Sequence, residues 1–212
     1  MASDTESVVD YTIDAIRSGI RQGRFVPGQR LVVADLTAAL KVSAGPVREA
    51  IRRLTGDGLI DIVPHRGAIV RKLTSRDVAE IYEVREAVEG LAAELAARNI
   101  GKANNRALLE AERDRADMAV RTGVTAYIEH NWALHQLIFR IAGNERLFAT
   151  SEQLKMPIYR YQQLMDAAHI ATSRAEHEPL IAAILAGDQK KAGNAMRRHI
   201  RKSAEAMLDV DP

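Results

Sequence analysis

Five of the six histidines in this 212-residue chain lie beyond residue 74, at positions 130, 135, 169, 177 and 199. Imidazole suits zinc, nickel, iron or copper, but a lone helical histidine is more commonly a surface or hydrogen-bonded residue. Helical phase sorts them. Around His135, the residues Tyr127, Asn131, Leu134, Ile138 and Ile141 form one inward stripe. Asn131 and His135 are four apart, about 40° around a helix, so they share a face. His130 lies five before His135, roughly 140° away, and looks elsewhere. His177 precedes the apolar run Leu180–Ile181–Ile184, and His199 follows Ala192 and Ala195, small residues that leave room beside it. Three inward imidazoles and an amide oxygen on three helices can converge on one ion; the alternative is a metal-free polar cavity.

These residues need a helical frame, and the pattern from residue 74 onward supplies one. Thr74 followed by Asp77 reads as a capping box with Asp in the Glu position. Helices are expected at about 75–99, 103–122, 124–142, 145–169, 172–186 and 188–208. The breaks fall at Gly101, Gly123, Gly143–Asn144, His169–Thr172 and Gly187–Asp188. Pro157 should kink the fourth helix, and Pro179 sits early enough in the fifth to be tolerated. The expected architecture for residues 74–212 is an antiparallel six-helix bundle with no strand.

Residues 1–73 follow another plan. Val9, Ile13, Ile16 and Ile20 mark one helix, and Leu36 and Leu40 a short second one. After a break at Lys41–Val42, Ser43 is placed to cap a third helix, with Pro46 in its first turn. That helix has Val47, Ala50, Ile51 and Leu54 on one face and Ala44, Arg48 and Arg52 on another. Gly58 ends it. Leu59–Val63 and Ala68–Arg71 then read as strands around a Pro64–His65–Arg66–Gly67 turn. Basic residues on one helix face are commonly just solvated. The whole order of cap, helix, stop and basic-tipped hairpin instead describes a winged helix-turn-helix, in which the motif's second helix, the third of this chain, enters a major groove while the wing touches the backbone or minor groove. Candidate DNA-contacting residues are Ser43, Ala44, Gly45, Pro46, Arg48, Arg52, His65, Arg66 and Gly67.

The motifs PGQRL, DLTAAL, VS-GPVREAIRRL, DGLI and HRGAIV closely resemble the N-terminal domain of GntR-family bacterial transcription regulators. The resemblance implies that the PVREAIRRL helix is the recognition helix and that Arg48 binds DNA. Two departures stand out. Ala44 occupies a position where the family usually has Arg, and Val33–Ala34 replace residues that commonly include another Arg. Each lost contact of this kind is worth ~1–3 kcal/mol, so operator preference should differ from the family norm.

Further on, YEVREAVEGLAAELAA, NWALHQLIFRIAGNERL and EHEPLIAAILAGDQKKAGNAMRRHI are similar to the FCD ligand-binding domain of the FadR branch of that family, in its six-helix, VanR-like size. Members of that branch commonly hold a divalent metal with one Asp and three His. Carried across by motif, the ligands here are Asn131, His135, His177 and His199, with Asn in place of Asp; zinc or nickel is the metal expected. The resemblance also implies a small organic acid as effector. Arg85 is then either an effector-facing cation able to take a carboxylate bidentately or a salt-bridge partner of Glu89, four residues on. Tyr159, Arg160 and Gln163 are further cavity candidates. Trp132 and Phe139 sit off the stripe, where they should pack between helices.

Composition agrees with this reading. Residues 1–73 hold eleven Lys and Arg against eight Asp and Glu, while the remainder is slightly acidic, so the positive excess falls in the DNA-binding half. There is no cysteine, hence neither a disulfide framework nor a thiolate site. The first residues, MASDTESVVD, are unlike a signal peptide, and no apolar run approaches the roughly 20 residues needed to span a bilayer. The chain is therefore expected to be a cytoplasmic, homodimeric, metabolite-responsive repressor of transcription with no membrane partner. Two other readings compete. One is an architectural DNA-binding protein with a purely structural dimerisation bundle. The other is a metal-dependent helical-bundle enzyme, which is opposed by the absence of any Glu followed three residues later by His.

Overall fold

The computed structural model describes residues 2–162 and 166–209, and the side chains of 7–154 and 166–208. The chain divides into two compact units, one ending at Leu73 and the other beginning at Thr74.

In the first unit, α1 (Ala2–Arg21), α2 (Val33–Leu40) and α3 (Ala44–Gly56) precede a two-stranded hairpin, β1 (Ile60–Val63) and β2 (Gly67–Val70). Val9, Ile13, Ile16 and Ile20 of α1 are buried, as are Val47, Ala50, Ile51 and Leu54 of α3, so the apolar stripes read from spacing form this unit's core. Lys41 closes α2 in the left-handed region at φ 55°. Ser43 stands at the N-cap of α3 with extended backbone, but its side chain makes no capping bond, which corrects the expected cap. The hairpin is antiparallel, with Ile60 opposite Val70 and Val63 opposite Gly67. That register leaves a loop of Pro64, His65 and Arg66, one residue tighter than expected. Arg66 N donates to Val63 O, Pro64 presets the turn, and His65 takes φ 61°. Histidine tolerates that region better than most residues. Residues 28–31 run along the outer edge of β2: Leu31 N donates to Ala68 O, Val70 N donates to Gln29 O, and Arg30 bridges Ile69.

The second unit is wholly helical among its described residues: α4 (Ser75–Asn99), α5 (Asn105–Asp114), α6 (Ala116–Thr122), α7 (Val124–Ala142), α8 (Glu145–Gln162), α9 (Ala167–Leu185) and α10 (Gln189–Asp209). The capping box at Thr74 and Asp77 is present. The second expected helix is split into α5 and α6 at Arg115, whose N–H bonds back three residues to Glu112 rather than four. A tightened turn interrupts the α-helical ladder there. The fourth break also moves. Asp166 accepts from the N–H groups of Ala168 and His169 and so caps α9, which puts His169–Thr172 inside that helix rather than between two. The fourth expected helix, interrupted only by a kink at Pro157, is observed as α8 running through that residue and ending at Gln162; the Pro157 side chain lies outside the described residues.

The most extensive packing in this unit is α4 against α10. Two glycines permit it. A Cβ on Gly90 would stand 2.7 Å from Arg197 Cγ, and one on Gly193 would strike the Glu94 side chain. Arg197 then bonds Glu94 at 2.7 Å, and Arg201 pairs with Glu86. With the backbones this close, α4, α7, α9 and α10 can aim short polar side chains at a common interior.

Candidate metal centre, effector cavity and DNA-binding face

His135 of α7, His177 of α9 and His199 of α10 meet inside the second unit, all buried, with one ligating nitrogen from each lying within 4.8 Å of the others. The Nε2 atoms of His177 and His199 are 3.3 Å apart. Two nitrogens each ~2.05 Å from one tetrahedral ion would be separated by about that distance.

Two of the three rings are held from behind. His135 Nδ1 contacts Glu89 Oε2, and His199 Nδ1 lies 3.0 Å from Glu176 Oε2. A carboxylate at Nδ1 fixes the proton there and leaves Nε2 with a bare lone pair, the state a metal ligand needs. His135 Nε2 is buried without a hydrogen-bond partner, and so is Asn131 Oδ1, one turn earlier on the same helix. An orphaned buried acceptor costs about 1–3 kcal/mol, and a cation held by the histidines would satisfy His135 Nε2. Burial, then the neighbouring histidines, holds His177 well below the ordinary imidazole range, and burial likewise lowers His199. Both rings are therefore neutral and able to ligate. The three histidines fit a divalent metal through three nitrogen donors, and Asn131 lines the same cavity as His199.

The charges around the cluster cancel. Glu89 faces Arg85, whose Nε donates to Oε1 at 2.7 Å, and Glu176 faces Lys202 at 2.7 Å. Burial pushes the Glu89 carboxyl up, but Arg85 and His135 outweigh it and bring it down to about 2. The guanidinium of Arg85 sits 4.6 Å from the Tyr82 ring centroid and 5.6 Å from that of Trp132. Its Nη1 is buried with no hydrogen-bond partner. Arg85 is therefore the salt-bridge partner of Glu89 that its four-residue spacing allows. Beside it opens a cavity of about 390 Å³, lined among others by Arg85, Asn131, Tyr127, Ser173, Glu176 and His199. Tyr127 donates to Ser173 at 2.9 Å across this wall.

His130 looks away from the cluster, lying 3.0 Å from Glu112 of α5, and His169 pairs with Asp166 at the start of α9. Trp132 and Phe139 are buried, the latter edge-on to Phe148. The side chains of Tyr159, Arg160 and Gln163 lie outside the described residues. Spacing alone did not single out Glu89 and Glu176 as supports of the histidines. The only local signals were that Glu176 directly precedes His177 and that Glu89 follows Arg85 by one turn.

On the first unit, Ser43, Ala44, Gly45, Arg48 and Arg52 of the α3 end and His65, Arg66 and Gly67 of the wing are exposed, with Pro46 half-buried. The arginines differ in availability. Arg52 is clamped by Glu49, at 2.8 Å through Nε and 2.6 Å through Nη2, and Arg53 shares the same carboxylate. Arg48 has no such partner among the described residues.

Comparison with known proteins agrees with this two-part layout. Residues 10–70 match the model "Bacterial regulatory proteins, gntR family", and residues 80–202 match the FCD domain. The chain belongs to the GntR family and carries an FCD domain. It is 30% identical over 197 residues to the "Probable D-xylose utilization operon transcriptional repressor" of Paenarthrobacter nicotinovorans, covering 92% of this chain and 86% of that one. It is 25% identical to the Escherichia coli repressor GlaR, covering 87% and 89%. Among solved structures, E. coli McbR/YncC superposes with TM-score 0.81 at 21% identity, covering 95% and 97%. A GntR regulator from Rhodococcus sp. RHA1 gives 0.78 at 25%, covering 96% and 98%. This GntR protein is thus a DNA-binding transcription regulator, and no described helix is long and apolar enough to cross a membrane.

Proposed function

We propose that this protein is a cytoplasmic, homodimeric repressor whose operator affinity is set by a small organic acid bound in the FCD unit beside a divalent metal. The observation that carries the reading is a set of unsatisfied atoms around one interior. His135 Nε2, Asn131 Oδ1 and Arg85 Nη1 are all buried without partners, and Asn131 and Arg85 line the same cavity as His199. Asn131, His135, His177 and His199 would hold zinc or nickel, which when bound supplies a Lewis acid for a carboxylate oxygen. Arg85 offers the second contact to that carboxylate through its free Nη1. Tyr127, Ser173 and the Glu176–Lys202 pair line the cavity as well and would orient the remainder of the acid.

One recognition helix makes too few contacts for genomic specificity, so two heads reading a near-palindromic operator are required. The effector controls them only by preferring one arrangement of the heads over another. Repression relieved by effector is the sign favoured, since the named relatives are repressors. Ser43, Gly45, Pro46, Arg48 and Arg52 of the recognition helix and His65, Arg66 and Gly67 of the wing are the DNA-facing set, with Ala44 in place of an arginine.

The test is thermal unfolding and calorimetry of chelator-treated protein, titrated first with zinc or nickel and then with a panel of mono- and dicarboxylates. Stoichiometric metal uptake that raises the melting temperature, followed by a further rise with one class of acid, is expected. No uptake, and no response to any acid, would refute the sensing reading and leave a purely structural bundle.

A further inference from the structure

The cleft between the wing and the recognition helix contains a cation that the helix-turn-helix reading does not use. Arg30 lies in the segment along the outer edge of β2, bridged to Ile69. Its neighbour Leu31 is buried while Arg30 is exposed, so strand alternation turns the arginine outward. The guanidinium extends across the wing base, with Nε 3.9 Å from where a Cβ would sit on Gly67. Arg30 and Arg48 line one cleft of about 280 Å³, whose other walls include Ile62, Val32 and Gly67. Neither arginine has a hydrogen-bond or ion-pair partner among the described residues, in contrast to Arg52, which Glu49 holds. Ile62 is 59% exposed and Val32 37%, two aliphatic side chains left in solvent beside two unpaired cations.

We infer that this cleft is a phosphodiester-binding site, in which Arg30 and Arg48 grip the DNA backbone between the wing and the major groove while Ile62 and Val32 pack on deoxyribose. A guanidinium fork matches two phosphate oxygens, and apolar side chains cover sugar without reading sequence. Arg30 thereby provides from the wing root a backbone contact on a face where Ala44 provides none. The inference rests on the DNA-binding role of the first unit and adds a residue and a ligand class to it.

The experiment uses the full chain and a labelled duplex selected by the wild-type protein from a random pool, with anisotropy titrations over a range of salt. Arg30→Gln should weaken binding roughly tenfold and lower the salt slope by about 1 for each engaged head, equally for every selected sequence. Arg30→Lys should recover part of the loss. Arg98→Gln, the same charge change at an exposed position of the other unit, should leave both readouts at wild-type values. If Arg30→Gln matches Arg98→Gln, or changes base preference at unchanged slope, the phosphate assignment is wrong. If the wild type selects no duplex, the DNA-binding reading itself fails. Thermal melts of the variants separate misfolding from lost contact, because Arg30 holds no structural partner that its loss would strand.

Discussion

Glu89 joins Arg85 to His135: one carboxylate oxygen accepts from Arg85 Nε and the other meets His135 Nδ1, with all three side chains buried. A single residue of α4 therefore connects the cation that faces the cavity with a histidine of the candidate metal site. Glu89→Gln should leave Arg85 as an uncompensated buried charge and destabilise the fold by about 3–5 kcal/mol. Urea unfolding of metal-free protein checks this. Arg76→Ala, which breaks a solvent-exposed pair with Glu80 at the start of the same helix, should leave the midpoint where it was.

Asn131→Asp should raise metal affinity by roughly tenfold, because it adds a negative charge to a donor set that is otherwise neutral. The nearby charges already cancel as Arg85–Glu89 and Lys202–Glu176 pairs. In the wild type, the anionic effector is then the group left to offset the ion, so carboxylates should tighten metal binding. That coupling should shrink in the Asp variant. Calorimetric metal titrations with and without the responsive acid measure it, and equal coupling in both proteins would refute the charge argument.

Acid should destabilise the metal-free protein in two separate stages. Burial and the nearby histidines hold the His177 pKa well below 6.5, so between those values the unfolded chain binds a proton that the folded chain refuses. Stability then rises with pH and falls as pH drops through that window. His199 shifts in the same direction, and Glu89, Glu176, His135 and His130 are further titratable groups near the cluster. Glu89 has a folded pKa of about 2 against an ordinary 4.5, so its stabilisation is intact above 4.5 and disappears only at lower pH. Melting temperatures should fall between about pH 7 and pH 5, and His177→Gln should flatten that limb. A wild-type melting temperature constant across it would contradict the shift.

Ala44→Arg tests the departure at the start of the recognition helix. Ala44 is the exposed first residue of α3, so an arginine there reaches DNA without disturbing the core. Operator affinity should improve by ~1–3 kcal/mol on a subset of selected sequences. An unchanged binding profile would mean that Arg48, Arg52 and the wing already suffice.

The frame of the molecule was legible from local patterns because the local signals agree with one another. The α1 and α3 apolar stripes, the Thr74–Asp77 box and the glycine stops each appear where spacing puts them. The misplaced boundary before α9 had a local signal as well, the Asp166 cap three residues before His169. The split at Arg115 has no Gly or Pro to announce it. On the candidate site, the common face of Asn131 and His135 follows from helical geometry. The carboxylates behind the rings do not, since Glu89 reaches His135 across 46 residues and Glu176 reaches His199 across 23. Only the close approach of α4 and α10 at Gly90 and Gly193, and the packing of α7 and α9 against them, creates those pairs. Arg52 shows the converse: its phase suits DNA, yet Glu49 on the same helix already occupies its guanidinium.

The most direct test of a ligand-controlled DNA-binding switch is an anisotropy titration of a selected operator duplex with metal-loaded full-length protein, repeated with each member of a carboxylate panel. One acid class should move the midpoint by about 5-fold or more, within the usual range of allosteric coupling. The shift should vanish in both Arg85→Met and His177→Ala. Tight, salt-dependent operator binding that ignores every acid, and ignores chelation as well, would contradict the account.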